Sequence, residues 1–442
     1  MAHIRKRKSS EMIQKDIELD RLLVLASKEG DFEEVKNLIE LGASPDATEY
    51  NKNLFYASQN YTTPLQNAAA MGYPQIVQYL IEKGADINAK DRFDVTALHM
   101  AAEMGHTDCL QKLLDAEALC NVGTKYSKQG SYTAFPHAGG TTPLHLAAAN
   151  NHIECVTKLI WDGADYNAVD EFGRTSLYIA AQKTFEDCVH AHLNNAIWKD
   201  ILSLPSKQTG DTPLHECVKN GMLSCVESLL KRGSDVNHKN MAGFSPLHLV
   251  VQANKTFSMD MLKQLVMNGY NTDVNIPESL GYSPLHYVCF HETSMQERRP
   301  EAAALLIAYG ASYKILNRQG DNVLQYELRN KNTDRTILHA IVKSEAYLPT
   351  LESLGAVSAH ILTPGARDPG HQGIMNLNRS DEQCAKLSWY RDLCKDPRPL
   401  QHYCRCVIRN TIGVRRLSKI DTLPLPTTLK EYLHLTLEEF RS

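Results

Sequence analysis

The stretch Thr142-Pro143-Leu144-His145-Leu146-Ala147-Ala148-Ala149, closed fourteen residues later by Gly163-Ala164-Asp165-Tyr166-Asn167, decides the fold. A threonine hydroxyl can cap the N-terminus of a helix, and a proline directly after it takes the first helical position, where its missing N–H costs nothing. The alanine pair leaves room for a neighbouring helix to approach closely. Gly163 stands 21 residues after Thr142, past a second apolar-periodic segment, where a left-handed helix C-cap favours glycine. The same grammar opens at Thr63-Pro64-Leu65, Thr96-Ala97-Leu98-His99, Thr175-Ser176-Leu177, Thr212-Pro213-Leu214-His215, Ser245-Pro246-Leu247-His248 and Ser283-Pro284-Leu285-His286. It returns with Ala68-Ala69 and Ala101-Ala102, and with Gly42, Gly84 and Gly233.

The opening residues are spaced by 33, 46, 33, 37, 33 and 38. A base period of 33 with insertions is that of ankyrin repeats, each a turn followed by two helices. Weaker copies open near Arg21-Leu22-Leu23 and at Asn322-Val323-Leu324. The chain therefore resembles an ankyrin-repeat protein over residues 21–357. The expected fold class is all-α, a solenoid of about eight to nine helix-turn-helix repeats.

This register explains residues that might otherwise suggest chemistry. His99, His145, His215, His248 and His286 all lie three residues after the opening Thr or Ser. Hydrogen bonds tying adjacent turns and helices together account for them without catalysis or metal binding. Cys109, Cys155, Cys188 and Cys225 all lie 13 residues after the opening, where another copy carries Ile76. A position that accepts isoleucine is apolar, so these thiols are expected in the core.

Two departures from the period stand out. Between the copies opening at 96 and 142 there are 13 extra residues, within 122–140, and they include Tyr126, Tyr132 and Phe135. Insertions in such arrays map to loops on one face, often the binding face, although a passive surface loop fits equally. The second departure is Ala196–Leu204, where the expected glycine is missing and Trp198 appears, so a remodelled turn is expected.

Composition narrows the function. Hydrophobic residues at 43% and charged residues at 22% are ordinary for a folded chain. A net charge of −4 argues against a nucleic-acid partner. No apolar run approaches the roughly 18 residues of a membrane helix, and polar sequence follows the basic start where a leader would need an apolar stretch. Eleven cysteines without a C-x-x-C pair fit a reducing cytoplasm, with no metal site and no cofactor expected. Arg5-Lys6-Arg7-Lys8 can be read as a nuclear import patch or as a solvated tail. No phosphate loop, dinucleotide fingerprint or H-E-x-x-H motif is present, so no catalytic residue is assigned and the chain is expected to be no enzyme.

After about Gly355 the period stops, and His360–Asn378 is rich in turn-forming residues. Asp396-Pro397-Arg398-Pro399 then reads as a helix entry. Leu400, Cys404 and Ile408 follow at a spacing of four and share one helix face, as suits a helix docking into a groove. Leu423-Pro424-Leu425-Pro426 fixes an extended segment, with Leu429, Tyr432 and Leu433 beyond it.

Leu400-x-x-x-Cys404-x-x-x-Ile408 resembles the Elongin-C-binding box of a SOCS box, and Leu423 to Leu433 resembles the cullin-5 box that completes it. Behind ankyrin repeats, the pair is similar to the ankyrin repeat and SOCS box family. The expected organisation is a tail over 1–20, the ankyrin array over 21–357, a linker over 358–395 and a small helical SOCS box over 396–442. The resemblance implies a substrate receptor of a cullin-RING ubiquitin ligase that promotes ubiquitination and proteasomal degradation. Leu400, Cys404 and Ile408 would bind Elongin C, and with it Elongin B. Leu423, Pro424, Leu425, Pro426, Leu429, Tyr432 and Leu433 would bind cullin-5 with its RING subunit. The alternative is a plain ankyrin scaffold whose C-terminal helices cap the array. Substrate is expected on the early and middle repeats, through Phe93, Tyr126, Tyr132, Phe135 and Phe172. The resemblance also links the turn residues Asn88, Asn167 and Asn237 to asparagine hydroxylation, beside a plain turn-stabilising role.

Overall fold

A computed structural model describes residues 10–48, 62–126, 137–195, 200–252, 258–269, 271–290 and 299–329, together with Ile337, Leu338 and Ile341. Among these residues every regular element is helical. The chain divides into two compact units, Met1–Arg232 and Gly233–Ser442.

The first unit holds six helix pairs: α1 (Ser10–Glu29) and α2 (Phe32–Glu40), α3 (Pro64–Met71) and α4 (Pro74–Glu82), α5 (Ala97–Met104) and α6 (Thr107–Asp115), then α7 (Pro143–Ala149) and α8 (Ile153–Trp161), α9 (Ser176–Gln182) and α10 (Glu186–Asn195), α11 (Pro213–Lys219) and α12 (Leu223–Lys231). First helices pack on first helices, from α1 through α3, α5, α7 and α9 to α11. Second helices α4, α6, α8, α10 and α12 form a parallel row. The second unit repeats the plan with α13 (Pro246–Gln252), α14 (Met259–Asn268), α15 (Pro284–Phe290), α16 (Arg299–Ala308) and α17 (Val323–Arg329). Here α13, α15 and α17 form one row and α14 and α16 the other. The described residues thus contain eight pairs and the first helix of a ninth.

Helices this short are marginal alone, so packing must hold them. Ala68, Ala69, Ala101, Ala102, Ala147 and Ala148 have no exposed surface, and they set the close spacing of the inner row. A methylene added at Ala147 would have nowhere to go, at a cost of about 1–3 kcal/mol. Leu80, Leu113, Leu159 and Leu229 recur in register on the second helices and are likewise fully buried. Each contributes roughly 1.5–3 kcal/mol against exposure. Gly163 ends its second helix at φ +87°, with nothing within 4 Å of a built side chain, so backbone conformation alone selects glycine there. Glu117 takes the equivalent place in the copy opening at 96 and holds φ 62°.

Two expectations need restating. Residues 10–20, read as tail, form the first half of α1 because nothing between Ser10 and Glu29 breaks a helix. Asp20 accepts the Ser44 N–H at 2.8 Å, tying that half to the turn after α2. Around the missing glycine, a single 3-10 turn (Asp200–Leu202) buries Ile201 and Leu202. Trp198 lies outside the described residues.

Candidate functional site

The hydrogen bonds separate the rigid frame of the array from its exposed surface. In five of the copies the residue three after the opening Thr or Ser reaches the next repeat. His99 Nδ1 accepts the Thr96 N–H at 3.2 Å, while its Nε2 sits 3.2 Å from the Thr141 carbonyl. With Nδ1 accepting, Nε2 carries the proton and donates. His145 joins Thr142 to the Arg174 carbonyl at 3.0 Å, and His248 joins Ser245 to the Tyr282 carbonyl at 3.1 Å. Burial pushes His99, His248 and His286 down to about 4, and lowers His145 as well. All four are neutral at neutral pH, and His99, His145 and His248 are structural links. Gln66 does the same work without an imidazole, exchanging cap bonds with Thr63 and donating to the carbonyls of Ala89 and Val95 at 2.9 Å. Tyr178 fills the position in another copy, and its hydroxyl donates to Glu216 at 2.9 Å.

A second row of links escaped the sequence reading. Tyr73 and His106 directly follow the first-helix caps and His152 stands two residues past Asn150, the cap of α7, and each ring lies against a glycine of the preceding repeat. A side chain built on Gly30, Gly72 or Gly105 would meet those rings at 2.4–2.6 Å. The ring tips bond the same neighbours: Tyr73 to the Glu29 carbonyl at 3.3 Å, His106 to Ala70 at 3.1 Å and His152 to Glu103 at 2.9 Å. Part of the signal was present, as Gly72-Tyr73 and Gly105-His106 spaced by 33, whereas Asn151 precedes His152.

The turns form the third row. Asn88 accepts the Leu119 N–H at 2.9 Å, Asn121 that of Asp165 at 2.7 Å, and Asn237 that of Asp273 at 2.7 Å. Asn88 and Asn237 therefore carry the turn-stabilising role. The buried Asn167 oxygen has no partner among the described residues, and it is the turn asparagine that precedes Ala196–Leu204.

Acidic side chains close the fingers ahead of α5 and α9, and Asn240 and Asn317 do so ahead of α13 and α17. Asp91 Oδ1 accepts from Phe93 and Val95, and Asp170 Oδ1 from Phe172 and Arg174. Neighbouring fingers bond edge to edge, Lys125 N–H to the Phe93 carbonyl at 2.9 Å and Lys207 N–H to the Phe172 carbonyl at 2.7 Å. This arrangement decides what the expected aromatics offer. Phe93 is only 6% exposed, with the Arg92 guanidinium 4.3 Å over its ring. Phe172 is half-buried under Arg174, which pairs with Asp170 at 2.7 Å. The two phenylalanines stabilise fingers, because each stacks under its neighbouring arginine. Tyr126, at the mouth of the insertion, is 59% exposed. Thr124 and Thr141 clamp that mouth, with N–H of Thr124 to the Thr141 carbonyl at 2.9 Å and N–H of Gly140 back to Thr124 at 2.8 Å. His137 pairs with Glu103 at 3.4 Å, which holds the far end of the insertion against α5 and draws the Glu103 carboxyl below its usual range. Met104, next to Glu103, is 54% exposed, and Met71, in the same register one repeat earlier, is 44% exposed. Tyr132 and Phe135 lie outside the described residues.

The core cysteines are buried, and burial pushes Cys109 and Cys188 up to about 12. Cys225 differs, its thiol being held below the usual range by a hydrogen bond with Cys217. Leu400, Cys404, Ile408 and the segment Leu423 to Leu433 lie outside the described residues.

Stacked helix pairs, finger-to-finger bonds and the buried Thr-His links together define an ankyrin-repeat protein. A family model for ankyrin repeats (three copies) matches residues 22–126, 91–170, 144–240 and 214–317. A SOCS box model matches residues 396–434. The chain belongs to the ankyrin repeat and SOCS box family. It is 27% identical to human ankyrin repeat and SOCS box protein 16 over 388 residues, 85% of this chain and 75% of that protein. It is also 29% identical over 215 residues to the E3 ubiquitin-protein ligase XBAT33 of Arabidopsis thaliana, and 31% identical over 193 residues to the mouse B-cell lymphoma 3 protein homolog. These matches cover 49% and 42% of this chain, and 36% and 39% of the two relatives, so the chain spans under half the length of each.

Proposed function

We propose that this chain is a non-catalytic substrate receptor of a cullin-RING ubiquitin ligase. The observation that carries the reading is a SOCS box match at 396–434 behind an ankyrin array on one polypeptide. In this reading Leu400, Cys404 and Ile408 seat a helix in Elongin C, which brings Elongin B. The segment Leu423 to Leu433 adds cullin-5 and its RING subunit. Catalysis then belongs to the partners. The array contributes position, holding a substrate lysine near the charged carrier and raising its effective concentration. Degradation by the proteasome would follow, in the cytoplasm or, if the basic N-terminus acts in import, in the nucleus.

The substrate surface proposed here centres on the mouth of the insertion. Tyr126, Met104 and Met71 are the exposed apolar groups of that region, and the clamped threonines present them on a fixed base. Tyr132 and Phe135 extend the proposal along the loop, while Phe93 and Phe172 serve it as supports. Methionine and tyrosine together give an adaptable apolar contact with a polar tip.

The deciding experiment is copurification. Leu400→Ala combined with Cys404→Ala is expected to abolish recovery of Elongin B and C. Loss of one buried leucine costs about 2–5 kcal/mol, which is orders of magnitude in affinity. Replacing Leu423-Pro424-Leu425-Pro426 by alanines should remove cullin-5 and leave Elongin B and C bound. Undiminished Elongin recovery from the first variant would return the chain to a plain ankyrin scaffold.

A further inference from the structure

Four cysteines share one address in the array, and one of them has different company. Each sits on a second helix, and the repeat register sets two residues of the preceding second helix, four apart, opposite it. For Cys109 those residues are Pro74 and Gln78, for Cys155 Thr107 and Gln111, and for Cys188 Ile153 and Thr157. For Cys225 they are Glu186 and His190. Only there does the preceding helix supply a carboxylate and an imidazole.

The geometry converges. The ligand atoms of Glu186, His190 and Cys225 lie within 4.8 Å of one another. His190 Nε2 is 3.8 Å from Cys225 Sγ, close to the roughly 3.5 Å that separates nitrogen and sulfur ligands about a tetrahedral zinc ion. The Ser224 hydroxyl bridges the group, 3.2 Å from His190 Nε2 and donating to Glu186 Oε2 at 2.7 Å. Cys225 is fully buried, His190 half-buried and Glu186 exposed, so the group opens from core to solvent. Beneath it, Cys217 hydrogen-bonds with Cys225.

We propose that Glu186, His190 and Cys225 form a zinc site that staples α10 to α12. The donor set, one sulfur, one nitrogen and one carboxylate oxygen, suits zinc and disfavours calcium or magnesium. Loss of the Cys225 proton leaves a thiolate and a carboxylate, which together neutralise the ion. The released proton goes to solvent. Glu186 turns from Ser224 toward the ion, and Ser224, a water or Cys217 takes the fourth position. The staple joins the repeats on either side of Ala196–Leu204, where the turn glycine is missing and the Asn167 oxygen has no partner among the described residues.

The test is a titration of the chelator-stripped full-length chain with zinc against a chromophoric competitor. Cobalt serves as the optical probe, since thiolate bound to cobalt gives a near-ultraviolet charge-transfer band. One equivalent of zinc is expected to bind, and one equivalent of cobalt to give the band. His190→Gln, a half-buried change that leaves the core intact, should weaken zinc by more than about 100-fold, since even outer-shell changes reach that size. Cys225→Ser should abolish the band, and Cys155→Ser, at the same address with Thr107 and Gln111, should leave it unchanged. Absence of the band, zinc binding insensitive to both Glu186→Gln and His190→Gln, or equal loss in Cys155→Ser would each overturn the site. If Cys225→Ser fails to fold, His190→Gln decides.

Discussion

The boundary between the repeats opening at Thr96 and Thr142 carries 13 extra residues, yet its core is regular. The boundary between those opening at Thr175 and Thr212 carries four extra residues, and most of its links have changed. At the first, Asn121 bonds Asp165, His99 bonds Thr141 and His152 bonds Glu103, as the period requires. At the second, Asn167 just upstream is unpaired among the described residues and a 3-10 turn replaces the glycine exit. Side chains take over. Tyr178 bonds Glu216, the Asn220 amide donates to the Ala181 carbonyl at 3.0 Å, and Ser224 joins Glu186. Where an insertion enters matters more than its length. An insertion that enters at a finger tip leaves the described clamp of Thr124 and Thr141 and the helices beside it in register, whereas residues added after a second helix displace the turn that ties one repeat to the next.

Acid should open different links at the two boundaries, and this is the largest effect expected. His99 titrates near 6.5 when unfolded and about 4 when folded. The unfolded chain therefore binds the proton first, and stability present above pH 6.5 is lost as pH falls toward 4. The loss for one such histidine is about 3 kcal/mol. Tyr178 fills that position at the other boundary, and burial pushes its hydroxyl up to about 12, so it takes no part in acid. The acid-sensitive group there is His192, buried, lowered to about 4 and 3.0 Å from the Ser176 hydroxyl, so acid loosens α9 against α10 within one repeat. Hydrogen exchange at pH 5 should rise around Thr96 and Thr141 at the first boundary and around Ser176 and Cys188 at the second. Amides at Thr96 and Thr141 that stay protected down to pH 4 would contradict the assignment.

A smaller effect is expected from the turn asparagines. Asn121→Ala removes a bond to a backbone N–H and should cost about 1 kcal/mol. Asn167→Ala removes an oxygen without a described partner and should cost nothing or stabilise slightly. Thermal unfolding of the two variants side by side measures the difference, and equal losses would mean that the turn link persists at both boundaries.

The smallest effect belongs to the insertion. Joining Tyr126 to His137 through a short glycine-containing turn leaves the Thr124 and Thr141 clamp in place. Loop closure depends only weakly on length, so stability should change by less than about 0.6 kcal/mol. Under the proposed function, capture of substrate in a ubiquitination assay should fall while melting temperature holds. Retained capture would move the substrate surface elsewhere, with Met241, 67% exposed in the second unit, as the next place to test.

Much of this was legible in the sequence because repetition amplifies weak signals. A single Thr-Pro-Leu-His could be chance, but seven openings in register fix helix starts, the buried alanines and the histidine links. Phe93 was harder, because the sequence shows an aromatic at a turn tip but not the arginine that folds over it. The helical start at Ser10 was hidden because the first copy lacks the Thr-Pro signal. The Cys225 cluster was hidden for a different reason. Its three residues belong to two repeats, and only stacking brings positions 186 and 190 against position 225.

The ring-on-glycine row has a consequence for how such a chain can change over generations. Gly105 admits the His152 ring because it has no side chain, and Gly72 admits His106 in the same way. The first three repeats therefore each carry a socket for the successor's plug. Asn151 and Thr184, both at positive φ, occupy the socket position in the next two copies, so those seams are cut to a different pattern. Tandem duplication or exchange of single copies among related genes would be accepted only where plug and socket match. The glycine and the ring one repeat onward are expected to mutate as a pair, and the order of copies along the chain becomes a heritable trait in its own right.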